Sequence, residues 1–89
     1  MANLENILKY EKVGRNLPTI RRLREKRGWS QTELARLIGG GITQQQVSNY
    51  ESGKKFPSYR TVWMMSNLFE IGLRRMTQIA YLAKEKSTK

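Results

Sequence analysis

The chain has 89 residues, enough for one small domain, and carries a formal net charge of +10 from 17 lysines and arginines against 7 acids, all glutamate. It contains no cysteine and no histidine, which excludes disulfides, thiolate metal sites, the usual general base and the commonest metal ligand. The glutamates are scattered rather than paired, so the reading assigns no catalytic residue, no metal ligand and no cofactor, and expects a chain that is not an enzyme. The positive charge is uneven. Arg15, Arg21, Arg22, Arg24, Lys26 and Arg27 face only Glu25, and Lys54, Lys55 and Arg60 form a second acid-free cluster. A balance of this kind favours a polyanion as partner over a merely solvated surface. No apolar run has the length of a membrane span and no targeting pattern opens the chain, so a cytoplasmic location is expected.

Residues 1–16 read as an N-terminal extension that could form a short amphipathic turn through Leu4, Ile7 and Leu8. Pro18 and Thr19 then lead into a helix on which Ile20 and Leu23 share a face, and Gly28 stops it. Ser30-Gln-Thr-Glu33 is a capping box, with Trp29 and Leu34 at the hydrophobic-staple positions. Leu34, Ala35 and Ile38 mark the apolar face of this second helix, which Gly39-Gly40-Gly41 ends. The same grammar repeats at once. Thr43-Gln-Gln-Gln46 is a second capping box, Ile42 and Val47 its staple pair, Tyr50 a further buried position, and Ser52-Gly53 the stop. Two short helices joined by a glycine-rich turn make a helix-turn-helix pattern. Ser58 caps a fourth helix carrying Val62, Met65, Leu68 and Phe69 inward, Gly72 breaks it, and Leu73, Met76, Ile79, Ala80 and Ala83 continue at helical spacing into a fifth.

From about Leu17 to Met76 the chain resembles the Cro and lambdoid-repressor type of helix-turn-helix, the XRE-like family. The resemblance is carried by IRRLREKRGWSQTELARLIG followed by ITQQQVSNYESGKKFPS. It implies an all-α, compact five-helix, lambda-repressor-like DNA-binding domain; with the apolar stripe that continues past the match the domain is expected over residues 17–83, and the basic tail at 84–89 is expected to be flexible. It also implies roles. The third helix, Gln44 to Glu51, would be the recognition helix, whose first residues meet base edges in the major groove. Gln44, Gln45 and Asn49 fall on base-reading positions. Gln31 falls on a phosphate-gripping position, and Lys54 and Lys55 would lie near the DNA backbone. Arg24 and Glu51 match a buried pair tying the first helix to the third. One departure stands out: Gly39-Gly40-Gly41 occupies a turn where the family has a single glycine.

Glutamine and asparagine amides suit base reading because they can bond adenine N6 and N7 as a pair, whereas Lys and Arg on the rim supply sequence-independent attraction to phosphate. Thr43 would cap the recognition helix and bring its N-terminus to a phosphate, and Gln46 would be structural or phosphate-facing. The blander alternative makes the three glutamines solvated helix formers. Trp29 and Tyr50 are expected in the core. The stripe Leu73, Met76, Ile79, Ala80 and Ala83 needs a cover. The favoured cover is a second copy across a two-fold axis, giving a homodimer on a near-palindromic operator; the alternative is residues 1–16. The expected function is that of a sequence-specific regulator binding double-stranded DNA, more often a repressor. Two rivals are an antitoxin-like module that binds a protein partner through its N-terminal extension, and a non-specific nucleic-acid binder.

Overall fold

The computed structural model describes residues 17–87. Five helices run in chain order: α1 Ile20–Lys26, α2 Gln31–Ile38, α3 Gln44–Ser52, α4 Tyr59–Leu68 and α5 Leu73–Ser87. Among the described residues there is no strand, so the all-α reading and the positions of the five helices hold. α2 and α3 pack on each other across the glycine turn; α5 lies against both α4 and α3, and α1 touches α3 and α5.

The helix starts follow from local chemistry. Thr19, Ser30, Thr43 and Ser58 are extended residues whose side chains accept a backbone N–H of the first turn. This satisfies donors that a helix N-terminus otherwise leaves unpaired. Both capping boxes close: Ser30 N–H donates to Glu33 Oε1 at 2.9 Å, and Thr43 N–H donates to Gln46 Oε1 at 2.9 Å. The bond from the Ser30 backbone holds the Glu33 carboxyl below the usual carboxylate range.

Three helices end in one motif. After α1, Gly28 N–H donates to Glu25 O and Trp29 N–H to Arg24 O; after α3, Gly53 and Lys54 donate to Tyr50 O and Asn49 O; after α4, Glu70 and Ile71 donate to Asn67 O and Ser66 O. The pairing requires a left-handed residue, supplied twice by glycine, with φ 72° at Gly28 and 79° at Gly53. After α4 the residue is Glu70, with φ 56°, a conformation that crowds a Cβ. An ion pair with the half-buried Arg27 at 3.7 Å leaves the Glu70 side chain exposed and is weak.

The core comprises Ile20, Leu23, Leu34, Ala35, Ile38, Val47, Tyr50, Val62, Met65, Phe69, Met76, Ile79 and Ala80. Trp29 and Leu68 pack on it half-buried. Trp29 stacks on Phe69 with centroids 6.0 Å apart, and the Arg27 guanidinium lies over both rings while donating to Phe69 O at 2.8 Å. This corner joins the end of α1 to the end of α4.

The assignment of the α5 stripe to a two-fold seam is corrected here. Met76, Ile79 and Ala80 are 0%, 2% and 2% exposed within a single chain, and Leu73 and Ala83 are half-buried. The core is not closed without α5: the face turned inward covers α3 and α4 and is itself covered by them. The alternative cover, residues 1–16, lies outside the described residues. α5 also continues to Ser87, so the backbone of residues 84–87, expected in the tail, is helical.

Two stability outcomes follow. Ile79→Ala empties a fully packed position and should lower unfolding free energy by about 2–5 kcal/mol in chemical denaturation. An unaffected fold with altered self-association would restore the seam. Glu70→Gly relieves the left-handed glutamate and should stabilise the domain by about 1 kcal/mol, read as a raised denaturation midpoint.

Candidate nucleic-acid interface

The surface around the first turns of α2 and α3 gathers most of the polar residues singled out in the sequence. Gln44 and Gln45, the first residues of α3, are exposed; Gln31, the first of α2, and Asn49, on α3 beyond Gln45, are half-buried. Lys54 and Lys55, exposed, follow the end of α3.

This surface is connected to the core by a chain of hydrogen bonds. Glu51, in the last turn of α3, accepts from Arg24 Nε at 2.6 Å and Nη2 at 3.2 Å, with side chains only 10% (Arg24) and 6% (Glu51) exposed. Arg24 Nη1 donates to Trp29 O at 2.8 Å, so the guanidinium also fixes the turn between α1 and α2. The bond to Glu51 holds Arg24 still more firmly protonated than a free arginine. Glu51 Oε1 accepts a further bond from Gln31 Nε2 at 3.0 Å, and Gln31 Oε1 accepts from Gln44 Nε2 at 2.5 Å. Beside this relay, Gln45 Nε2 donates to Asn49 Oδ1 at 3.2 Å, one turn along α3.

The side-chain inventory shows what remains for a ligand. Each amide has two N–H donors and a carbonyl acceptor. Gln44 uses one N–H on Gln31 and keeps its carbonyl and the other N–H, the pair that an adenine edge requires. Gln45 keeps the same pair after its bond to Asn49. Asn49 retains its NH₂ donors. Gln31 has its carbonyl and one N–H engaged inside the protein, which leaves a single N–H for a phosphate. Gln46 is different: its carbonyl accepts from the Thr43 backbone at 2.9 Å and lies 3.4 Å from the Thr43 hydroxyl. That oxygen is a capping group, and of the two roles read for Gln46 the structural one has a visible partner.

The capping boxes and the Arg24–Glu51 pair were legible as motifs. The relay from Glu51 through Gln31 to Gln44 was not, because its members are 20 and 13 positions apart and meet only after α2 and α3 dock. The contact made by Arg60, read in the sequence only as part of a basic cluster, was also missed. Arg60 reaches from α4 to the glycine turn and donates to Ile38 O at 3.2 Å. Among the described residues there is no cluster of acids able to hold a metal ion, and no helix is long and apolar enough to cross a membrane.

Removing Glu51 strands a guanidinium that cannot neutralise itself and also unties Gln31. Glu51→Ala should therefore destabilise the fold by about 3–5 kcal/mol. Thermal melting is the check, and an unchanged transition would mean that the pair is solvated in solution.

A helix-turn-helix family model matches residues 20–76, which covers α1 through the first turn of α5. The chain is also 33% identical over 79 residues to the HTH-type transcriptional regulator AnsR of Bacillus subtilis, an alignment covering 82% of this chain and 66% of that protein. Thus the chain spans slightly less than two thirds of the length of this curated relative. Among solved structures none gives a significant match. With α2 and α3 both inside the matched region, the chain belongs to the XRE-type helix-turn-helix family.

Proposed function

We propose that the chain is a sequence-specific transcriptional regulator that lays α3 in the major groove of double-stranded DNA. The observation that carries this is the pair of exposed amides, Gln44 and Gln45, each tethered by one N–H and each retaining a carbonyl and an N–H. Tethered side chains lose less rotamer freedom on binding than free ones, so the arrangement favours reading over mere solvation. In this reading Gln44, Gln45 and Asn49 contact base edges. The N-terminus of α3 at Thr43, the remaining N–H of Gln31, the NH₂ of Gln46, and Lys54 and Lys55 face phosphates.

The reading extends to a homodimer on a near-palindromic operator, with recognition helices about 34 Å apart, and to repression by occlusion of polymerase in the cytoplasm, on the nucleoid. Since Met76, Ile79 and Ala80 lie in the core, pairing would use other surface. Phe56 and Tyr81, exposed and in edge contact at 6.5 Å, are apolar surface of that kind. Like the HTH-type transcriptional regulator from Bacillus subtilis that it resembles, the protein would act on transcription.

Selection of bound duplexes from a random pool should yield one preferred site. On that site Gln45→Ala should cost about 1–3 kcal/mol and relax the preference at one base pair. Lys54→Ala should weaken all duplexes alike and reduce the salt dependence by about one counterion. Equal losses for Gln45→Ala on preferred and random DNA would remove it from the base readers. No enrichment at all would leave a non-specific binder.

A further inference from the structure

We propose that Arg60 is a positioning residue for recognition, a clamp from α4 that fixes the lengthened turn between α2 and α3 and thereby the seating of α3. The proposal rests on α3 being the DNA-reading helix.

The turn has little of its own to hold it. Gly39, Gly40 and Gly41 have φ of 71°, 66° and 84°, conformations that glycine adopts freely and other residues rarely do. Three glycines in succession also lose the most backbone freedom on ordering. The backbone bonds here are Gly39 N–H to Ala35 O at 3.1 Å and Ile42 N–H to Gly39 O at 3.3 Å. Gly40 and Gly41 are exposed and contribute no side chain to the core.

Arg60 supplies the missing restraint. Its Nη2 donates to Ile38 O, one of the final carbonyls of α2, which the helix itself leaves without a partner. A cation at that end also complements the negative pole of the helix. The guanidinium lies flat against the open side of Gly40. A Cβ built there would stand 2.6 Å from Nη1 and 2.7 Å from Cζ, whereas a Cβ on Gly41 would meet nothing within 4 Å. Gly40 and Gly41 both suit their φ, and a Cβ at Gly40 would in addition push the mobile end of Arg60 aside, whereas one at Gly41 would displace nothing. Arg60 belongs to the second basic cluster of the sequence and is exposed as a residue, yet its guanidinium bonds the protein's own backbone.

The turn is the direct link between the two helices of the motif, and α3 carries Gln44 and Gln45 within its first turn. A loosened turn would let the start of α3 sample several positions and so blur base contacts more than phosphate contacts. That distinction makes the clamp testable. Amide hydrogen exchange of the free protein should show faster exchange at Gly39–Ile42 in Arg60→Ala, with the melting transition of the domain retained. In binding assays Arg60→Ala should lower the ratio of affinities for the selected over a random duplex about tenfold, the size of one lost charge-assisted hydrogen bond. The salt slope should change by less than one counterion. Arg60→Lys keeps the charge but not the planar fork and should resemble Arg60→Ala. Gly40→Ala should speed exchange in the same amides, and its effect should shrink in the Arg60→Ala background.

Unchanged exchange at the turn would overturn the clamp. Equal loss on both duplexes with a salt slope reduced by one would overturn it in favour of a phosphate contact. Full rescue by Arg60→Lys would show that charge alone matters, and would overturn it too. If wild type prefers no duplex, the base-reading role of α3 fails first. Accelerated exchange in Arg60→Ala would then leave a purely structural clamp, and the positioning role would be rejected.

Discussion

Glu51 is where the helices of this domain agree on an arrangement. Its carboxylate takes three bonds, two from Arg24 on α1 and one from Gln31 on α2, while itself sitting on α3. Arg24 adds a bond to Trp29 O in the turn before α2. A buried ion pair is weak evidence for net stability, because desolvation offsets much of the attraction. Its distinctive property is directional. Apolar side chains such as Leu34, Ile38 and Val47 can bury the same area over a range of helix rotations, but a two-pronged guanidinium–carboxylate contact tolerates little. In this domain the apolar core brings α1, α2 and α3 together, and Arg24–Glu51 selects one way of doing so.

The consequence reaches the surface through Gln31. An exposed glutamine ordinarily samples many rotamers, and ordering it against a base works against binding. Gln44 is held by Gln31, which is held by Glu51. Each step leaves unused the donors and acceptors that face outward. The same groups that set the helix geometry therefore also set the presentation of the exposed amide of Gln44, which is neutral and proposed to read a base. Neutral readers on a rim of cations let affinity and sequence preference be altered separately.

What could be read from the sequence divides by range. Ser30 with Glu33 and Thr43 with Gln46 are three residues apart, so the capping boxes follow from the string itself and appear as expected. Arg24 and Glu51 were legible only through a family pattern. The face of α5 was recognised as apolar, but the cover favoured for it, a second copy, is not what buries Met76, Ile79 and Ala80. Periodicity at Met76, Ile79 and Ala80 states that the face must be buried, and says nothing of whether α3 and α4 or a second copy does it. Glu70 in a left-handed turn left no signal, since glutamate has no preference for that conformation. The contact of Arg60 with the glycine turn spans 22 positions and was equally silent. The turn's unusual length was visible; the group that steadies it was not.

The Arg27 corner, finally, bears on the kinetics of association. Arg27 lies over Trp29 and Phe69 with a hydrogen bond to Phe69 O, and Arg24 is sealed against Glu51. Neither guanidinium is free to reach a phosphate. Both nonetheless belong to a chain of net charge +10, and at distances beyond a few side-chain lengths an approaching polyanion senses the summed field rather than individual groups. Charges engaged inside the fold would thus still speed the approach of a polyanion. In such a domain the charge that draws a polyanion in is larger than the charge left at the surface to hold it.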